Sequence, residues 1–293
     1  MNQKTISAIP AGKGFGGLSG TALKLIALVS MLLDHIAYFF DFTGVVPVWF
    51  GIAGRLAAPL FMFCLAEGFA HTRNRRRYFL RIYAIAAAMG GVQFLMKYGG
   101  IGVRGDGFYP QNGIMTLFAL LLIVWQGMDW IKARRWVRGL LAVLLPLAWP
   151  FVCPMIARVL PARLGSAWGF ALYSVLPTWG MIGDTSMPVL VMGLLMYPLR
   201  GHCVAQALSM AAWAVFYHFG VVYTMASAMP GFALSQMFTV YIEWMDAFAA
   251  PLMLCYNGRR GRGMKGLFYA FYPGHVAALY ALSCLVYHLT VGR

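Results

Sequence analysis

The chain has 293 residues, 61% of them hydrophobic and 11% charged, with 23 Lys and Arg against 8 Asp and Glu. Soluble domains carry about a quarter charged residues, so this composition excludes an ordinary globular domain and describes a polytopic membrane protein. The net charge of +15 lies between apolar runs, as in cytoplasmic loops that meet anionic lipid. No interleaving of aromatic and basic residues argues for nucleic acid.

At ~20 apolar residues per crossing, the expected fold is all-α: a polytopic integral membrane helical bundle of roughly nine or ten transmembrane helices. Residues 1–20, polar and glycine-rich with Lys4 and Lys13, read as a flexible cytoplasmic tail, and 21–293 as a single transmembrane domain. The first apolar run begins late and has no small-residue cleavage site after it, so the first span is expected to be retained. Cys64, Cys153, Cys203, Cys255 and Cys284 are scattered, without CxxC or Cys/His metal spacing. Free thiols and no metal are expected.

Span 1 is expected at about 21–40 and span 2 at about 47–70, followed by a basic run with Arg73, Arg75, Arg76 and Arg77. Span 3 is expected at about 78–96, span 4 at about 109–131 and span 5 at about 137–156. The stretch 158–183 is apolar but broken by Pro161, Pro177, Gly165, Gly169, Gly180 and Gly183. If it does not cross, later spans at about 185–199, 204–225, 233–255 and 266–289 leave the basic loop 257–265 and Arg200 inside. The positive-inside bias therefore favours nine crossings with the N-terminus cytoplasmic. The stretch 158–183 is then an outer re-entrant or interfacial segment, and ten crossings is the alternative.

Span 1, LKLIALVSMLLDHIAYFF, carries Asp34 and His35 side by side. A charge at bilayer depth costs a few kcal/mol, and an acid beside an imidazole is the smallest unit that tunes a general base. At 1.5 Å per residue both lie ~20 Å from the cytoplasmic end. Arg55 and His218 fall in the outer half, Asn112 and Asp184 near the outer starts of their spans, and His275 and Glu243 near mid-depth. Polar groups from distant stretches thus share one level. Glu243 and Asp246, at i and i+3, are a carboxylate pair, a polar seam or partners of an arginine.

A second group, Glu67, His71, Arg73, Arg75, Arg76, Arg77 and Arg81, lies on the cytoplasmic side. Guanidinium groups bind phosphate bidentately, but arginines here also serve as an orientation signal. Arg81 lies one turn inside span 3, where no such signal is needed. His218 reads as a hydrogen-bonded structural histidine. His275 follows a Pro–Gly pair expected to open its helix. His202 and His288 sit at interfaces. No HExxH, GxSxG, P-loop or dinucleotide fingerprint is present.

Together, LKLIALVSMLLDHIAYFF, GRLAAPLFMFCLAEGFAHT, YFLRIYAIA, QNGIMTLFALLL and LCYNGRRGRGMKGLFYAFYPGHVAALY resemble the TraX family, in order along most of the chain. The best-known member of that family is implicated in N-terminal acetylation of F-type conjugative pilin. The architecture also resembles multi-span acyltransferases that use a histidine in the first span and arginines in the next ones. His35 matches the first position, with Arg55 and Arg81 as looser counterparts of the arginines.

The resemblance implies an acyl-CoA donor, most readily acetyl-CoA, at a bacterial inner membrane. Its nucleotide would dock on Arg73, Arg75, Arg76 and Arg77, with Arg81 and Glu67 beside them. His35 would be the general base. Asp34 would fix the imidazole or pair with Arg55. Arg55 or Asn112 would stabilise the oxyanion, and His275 is a second base or an acceptor ligand. The acceptor stays open among pilin, another peptide and a glycan, membrane lipid is a partner, and a homo-oligomer is left open. The rival readings are a transporter or flippase using Asp34 and His35 as a proton or substrate site, and a non-catalytic scaffold.

Overall fold

The computed structural model describes residues 14–180 and 185–291. Its helices are α1 (Gly20–Phe40), α2 (Val48–Gly54), α3 (Ala57–His71), α4 (Arg75–Gly99), α5 (Ile114–Lys132), α6 (Trp136–Val159), α7 (Ala162–Phe170), α8 (Met187–Met196), α9 (Cys203–Phe216), α10 (Tyr223–Ser227), α11 (Ala249–Leu254) and α12 (Lys265–Thr290). The fold is all-α, and the described residues add to it an isolated bridge between Leu18 and Tyr256. Among the described residues, seven stretches are long and apolar enough to cross a membrane: Gly20–Thr43, Val48–His71, Arg75–Gly99, Ile114–Lys132, Trp136–Val159, Cys203–Ser227 and Gly266–Thr290. The chain is a multi-pass membrane protein.

Two of the nine expected crossings are not long helices. The stretch 185–199 holds the 10-residue α8, only ~15 Å of helix. The stretch 233–255 folds as 3-10 turns at Leu234–Phe238 and Ile242–Phe248, then the six-residue α11. Thr239, Val240 and Ile242 are β-branched and resist a helix, and Pro251 fits only a first helical turn, so α11 begins there instead of running through. The stretch 158–183 holds α7 and a π turn, Ala171–Val175. The nine residues of α7 rise ~14 Å, too little for a crossing. Residues 14–19, expected in the tail, are tied down: Gly14 N donates to Tyr256 O at 2.7 Å, Phe15 N to Leu254 O at 2.7 Å and Leu18 N to Cys255 O at 2.9 Å.

Contacts divide the chain into two compact units, Met1–Arg73 with Met192–Met264, and Asn74–Val191 with Lys265–Arg293. In the first, α1 packs on α2 and α3, and α9 packs on α11 and the Ile242–Phe248 turn. Its centre holds Leu23, Phe39, Leu60, Phe63 and Phe69, with Ala27, Ala57 and Ala66 also buried. Lipid is as apolar as leucine, so close packing over such small residues, not water exclusion, joins spans. In the second unit α5 packs against both α4 and α6, and α4 also meets α12 and the α7 region. Gly127 and Gly139 let α5 and α6 approach until a Cβ on either would press on the other's backbone. Gly90 does the same for α4, where a Cβ would collide with the Tyr173 carbonyl.

Candidate functional site

In the first unit the buried face of α1 carries Leu23, Ala27, Ser30, Met31, His35 and Phe39, a spacing of three and four that repeats once per turn. His35 is therefore inside, its ring edge-on to Phe39 with centroids 6.0 Å apart. Asp34, ~100° further round, turns to the second span and pairs with Arg55. Of the two roles open to Asp34, it takes the ion pair with Arg55.

Pro59 places Arg55. A proline removes one helical N–H and clashes with the carbonyl four residues earlier, here that of Arg55, and the span breaks between α2 and α3 at Arg55–Leu56. The Arg55 amide is shared between Gly51 O and Ile52 O at 3.2 Å each. Its Nε donates to Gly51 O at 3.2 Å and its Nη2 to Asp34 Oδ1. The Nη1 edge has no hydrogen bond among the described residues. Gly54 makes room for the pair, since a Cβ there would overlap the Asp34 carboxyl. Glu243 and Asp246, on the Ile242–Phe248 turn, lie within electrostatic reach of Arg55. One guanidinium therefore pairs with Asp34, on a helix that also carries a buried imidazole, in the electrostatic range of two further acidic residues.

Glu67 is buried towards the other end of α3, with His71 Nδ1 at 3.9 Å and Arg200 in electrostatic reach. Cys64, Cys203 and Tyr256 are close enough to sense its charge. Arg200 stacks on Tyr197, 3.9 Å from the ring centroid, and donates Nη1 to Tyr197 O at 3.0 Å. In sequence Arg200 looked only like an orientation signal, and its tyrosine neighbour Tyr197 was the available hint. Arg73 is exposed in this unit. His218 sits in a π turn, Tyr217–Val222, and bonds Ala214 O at 2.8 Å through Nδ1, as a structural histidine would.

In the second unit the expected loop arginines are helical. Asn74 caps α4, its side chain accepting from Arg77 N, and arginine is a good helix former, so Arg75, Arg76 and Arg77 occupy the first turn. Arg75 pairs with Asp129 at 2.8 Å and donates to Gln126 at 3.0 Å, joining α4 to α5. Arg76 and Arg77 are exposed, and Arg81 lies against Tyr269 of α12. Asn112 is buried just before α5, its backbone carbonyl accepting from Gln93 Nε2 at 2.9 Å.

His275 is buried on α12, which runs unbroken through Pro273; the expected opening at Pro273–Gly274 is absent because the surrounding turns keep their helical path. Its Nδ1 donates to Phe271 O at 2.7 Å, so in the neutral ring Nε2 is the basic nitrogen. Asp184 lies outside the described residues. Sequence reasoning missed the buried Arg104. It binds Asp106 through Nε at 3.0 and 3.1 Å and through Nη2 at 2.8 Å, with Phe108 4.3 Å from its face. That bonding holds the Asp106 carboxyl below its usual range.

The first unit thus brings together His35, Asp34 and Arg55, while Asn112, His275, Arg75, Arg76, Arg77 and Arg81 belong to the second. A family model described as TraX protein matches residues 19–162 and 171–283. The chain is also similar to the "Probable fimbrial assembly protein FimC, serogroup H1" of Dichelobacter nodosus, 28% identical over 269 residues, covering 89% of this chain and 94% of the relative. No solved structure matches it.

Proposed function

This chain belongs to the TraX family, and on that premise we propose that it is a membrane acyltransferase. It moves an acyl group, most simply acetyl, from cytoplasmic acyl-CoA to an amine or hydroxyl. The observation that carries this reading is the buried His35 beside an Asp34–Arg55 pair whose guanidinium keeps its Nη1 edge without a hydrogen bond among the described residues.

In this reading His35 takes the acceptor proton as the acceptor attacks the thioester carbonyl carbon. Arg55, through Nη1, stabilises the oxyanion. The C–S bond then breaks and the thiolate of coenzyme A takes the proton held by His35, which restores the base. Asp34, held by Arg55, contributes charge balance rather than direct orientation of the imidazole. Arg73, Arg76 and Arg77 remain exposed for the donor's phosphates, while Arg75 is committed to Asp129. The location is the inner membrane of a bacterium with the N-terminus cytoplasmic. The name of the fimbrial relative and the family resemblance make a pilin N-terminus one acceptor to try first.

The test is transfer or hydrolysis of radiolabelled acetyl-CoA by purified protein, wild type beside His35→Ala. General-base loss is expected to lower turnover by about 10²–10⁴-fold in a protein that still folds. Normal turnover by folded His35→Ala removes His35 from the mechanism. No turnover and no stabilisation by coenzyme A would shift the reading to a transporter with Asp34 and His35 as a proton site.

A further inference from the structure

The loop at 257–262, Asn-Gly-Arg-Arg-Gly-Arg, is built like a site. Its backbone carbonyls face the start of α1: Gly20 N donates to Arg259 O at 2.8 Å and Thr21 N to Arg260 O at 3.0 Å. Thr21 Oγ1 reaches Arg260 O at 2.9 Å and Arg262 O at 2.7 Å. Asn257 holds the near end, with Nδ2 donating to Gly17 O at 2.9 Å and Oδ1 accepting from Arg259 N at 2.9 Å. Gly258 and Gly261 both have φ 75°, a left-handed conformation that favours glycine. Gly261 has no room for a Cβ against Ser19 and Thr21.

With the carbonyls turned inward, the arginines are left outside. Arg259, Arg260 and Arg262 are exposed. No hydrogen bond, ion pair or ring contact among the described residues uses their side chains. No Asp or Glu occurs in residues 14–33 or 247–293, the segments that meet in this loop. An orientation signal needs only charge near the end of a span; it does not need a fixed backbone. A loop ordered in advance lowers the entropy cost of binding, and guanidinium forks match phosphate oxygens.

We infer that the 257–262 loop is a phosphate-binding site, presenting Arg259, Arg260 and Arg262 from a backbone locked onto the start of α1. The phosphate comes either from a soluble diphosphate or from a lipid headgroup. The site stands apart from the acyl-transfer reading, which places the donor nucleotide at Arg73–Arg77.

The experiment compares wild type, the triple variant Arg259→Gln/Arg260→Gln/Arg262→Gln, and Asn257→Ala, which keeps every charge but releases the loop. One arm titrates inorganic pyrophosphate into detergent-purified protein by calorimetry. The other measures lipid retained by native mass spectrometry from nanodiscs of phosphatidylglycerol or phosphatidylcholine. The expected result is binding in one arm, weakened about tenfold or more in the triple variant and weakened in Asn257→Ala as well. Binding in the first arm identifies a soluble phosphate and in the second a headgroup. If wild type binds in neither arm, or the triple variant binds as wild type does, the site does not exist. Unchanged binding by Asn257→Ala alone would also overturn the built loop, leaving bare charge. Should the triple variant fail to fold, Asn257→Ala decides the matter.

Discussion

Two arginine–aspartate pairs in this protein are chemically alike and structurally opposite. Arg104 and Asp106 are two residues apart on the loop between α4 and α5. Arg104 offers Nε and Nη2 to the carboxylate and Nη1 to Ser283 Oγ at 3.3 Å, and Asp106 also accepts from Phe108 N at 3.0 Å. Phe108 and Tyr287 cover the guanidinium at 4.3 and 5.4 Å. Every direction is used, which makes it a latch. Arg55 and Asp34 come from different spans, meet through one oxygen at a proline-made break, and leave the Nη1 edge open among the described residues. A saturated pair holds structure, whereas an unsaturated one inside a span can act on something else.

Removing Arg55 tests this most severely. Arg55→Gln strands Asp34, and because the two side chains are only 27% and 26% exposed, thermal unfolding should show a loss of about 2 kcal/mol or more. The double variant Asp34→Asn/Arg55→Gln should recover much of that stability, since neighbouring charges are not additive, yet it should not recover acyl transfer. Recovery of both would make the pair a mere latch.

Gly54→Ala approaches the same pair through packing. The added methyl group presses on the Asp34 carboxyl, for a cost of about 1–3 kcal/mol and a fall in turnover. A variant with wild-type stability and turnover would mean that Asp34 has room to move.

Arg104→Gln should behave differently. It loses the aromatic stacking and the fork, about 1 kcal/mol or more, with turnover per folded molecule unchanged. A selective loss of turnover would promote this latch to a working part.

The smallest effect is in pH. The Asp106 carboxyl is held below its ordinary value near 3.8, so its contribution is present above that value and lost as pH falls through the lowered one. The stability difference between wild type and Asp106→Asn should therefore be constant above about pH 5 and shrink only in strong acid. A difference that vanishes near neutrality would contradict the Arg104 contact.

Much of the candidate site was legible as polar residues in apolar surroundings, because a bilayer penalises charge. Asp34, His35 and Arg55 stood out against apolar neighbours, and the three-and-four spacing on α1 already separates the faces that carry His35 and Asp34. The break beside Arg55 was less visible, although Pro59 was in plain view, because hydropathy counts a proline among apolar residues and does not register its missing amide. Arg75, Arg76 and Arg77 looked like loop because charge marks the end of a span. The Asn74 cap and the Asp129 partner, which make them helical, depend on local geometry and on a residue 54 positions from Arg75.

By itself, then, the sequence determined that this chain is a helical membrane protein of the TraX family and which polar residues it places among apolar neighbours. Composition and hydropathy act locally and need no partner to be read. Tertiary structure decided which partner each group received: Asp34 to Arg55, Arg75 to Asp129, and the carbonyls of Arg259, Arg260 and Arg262 to the start of α1. It also decided that 233–255 folds as short turns and not as a span. Pairings between distant segments depend on which faces pack together, and a pattern along one chain does not carry that information.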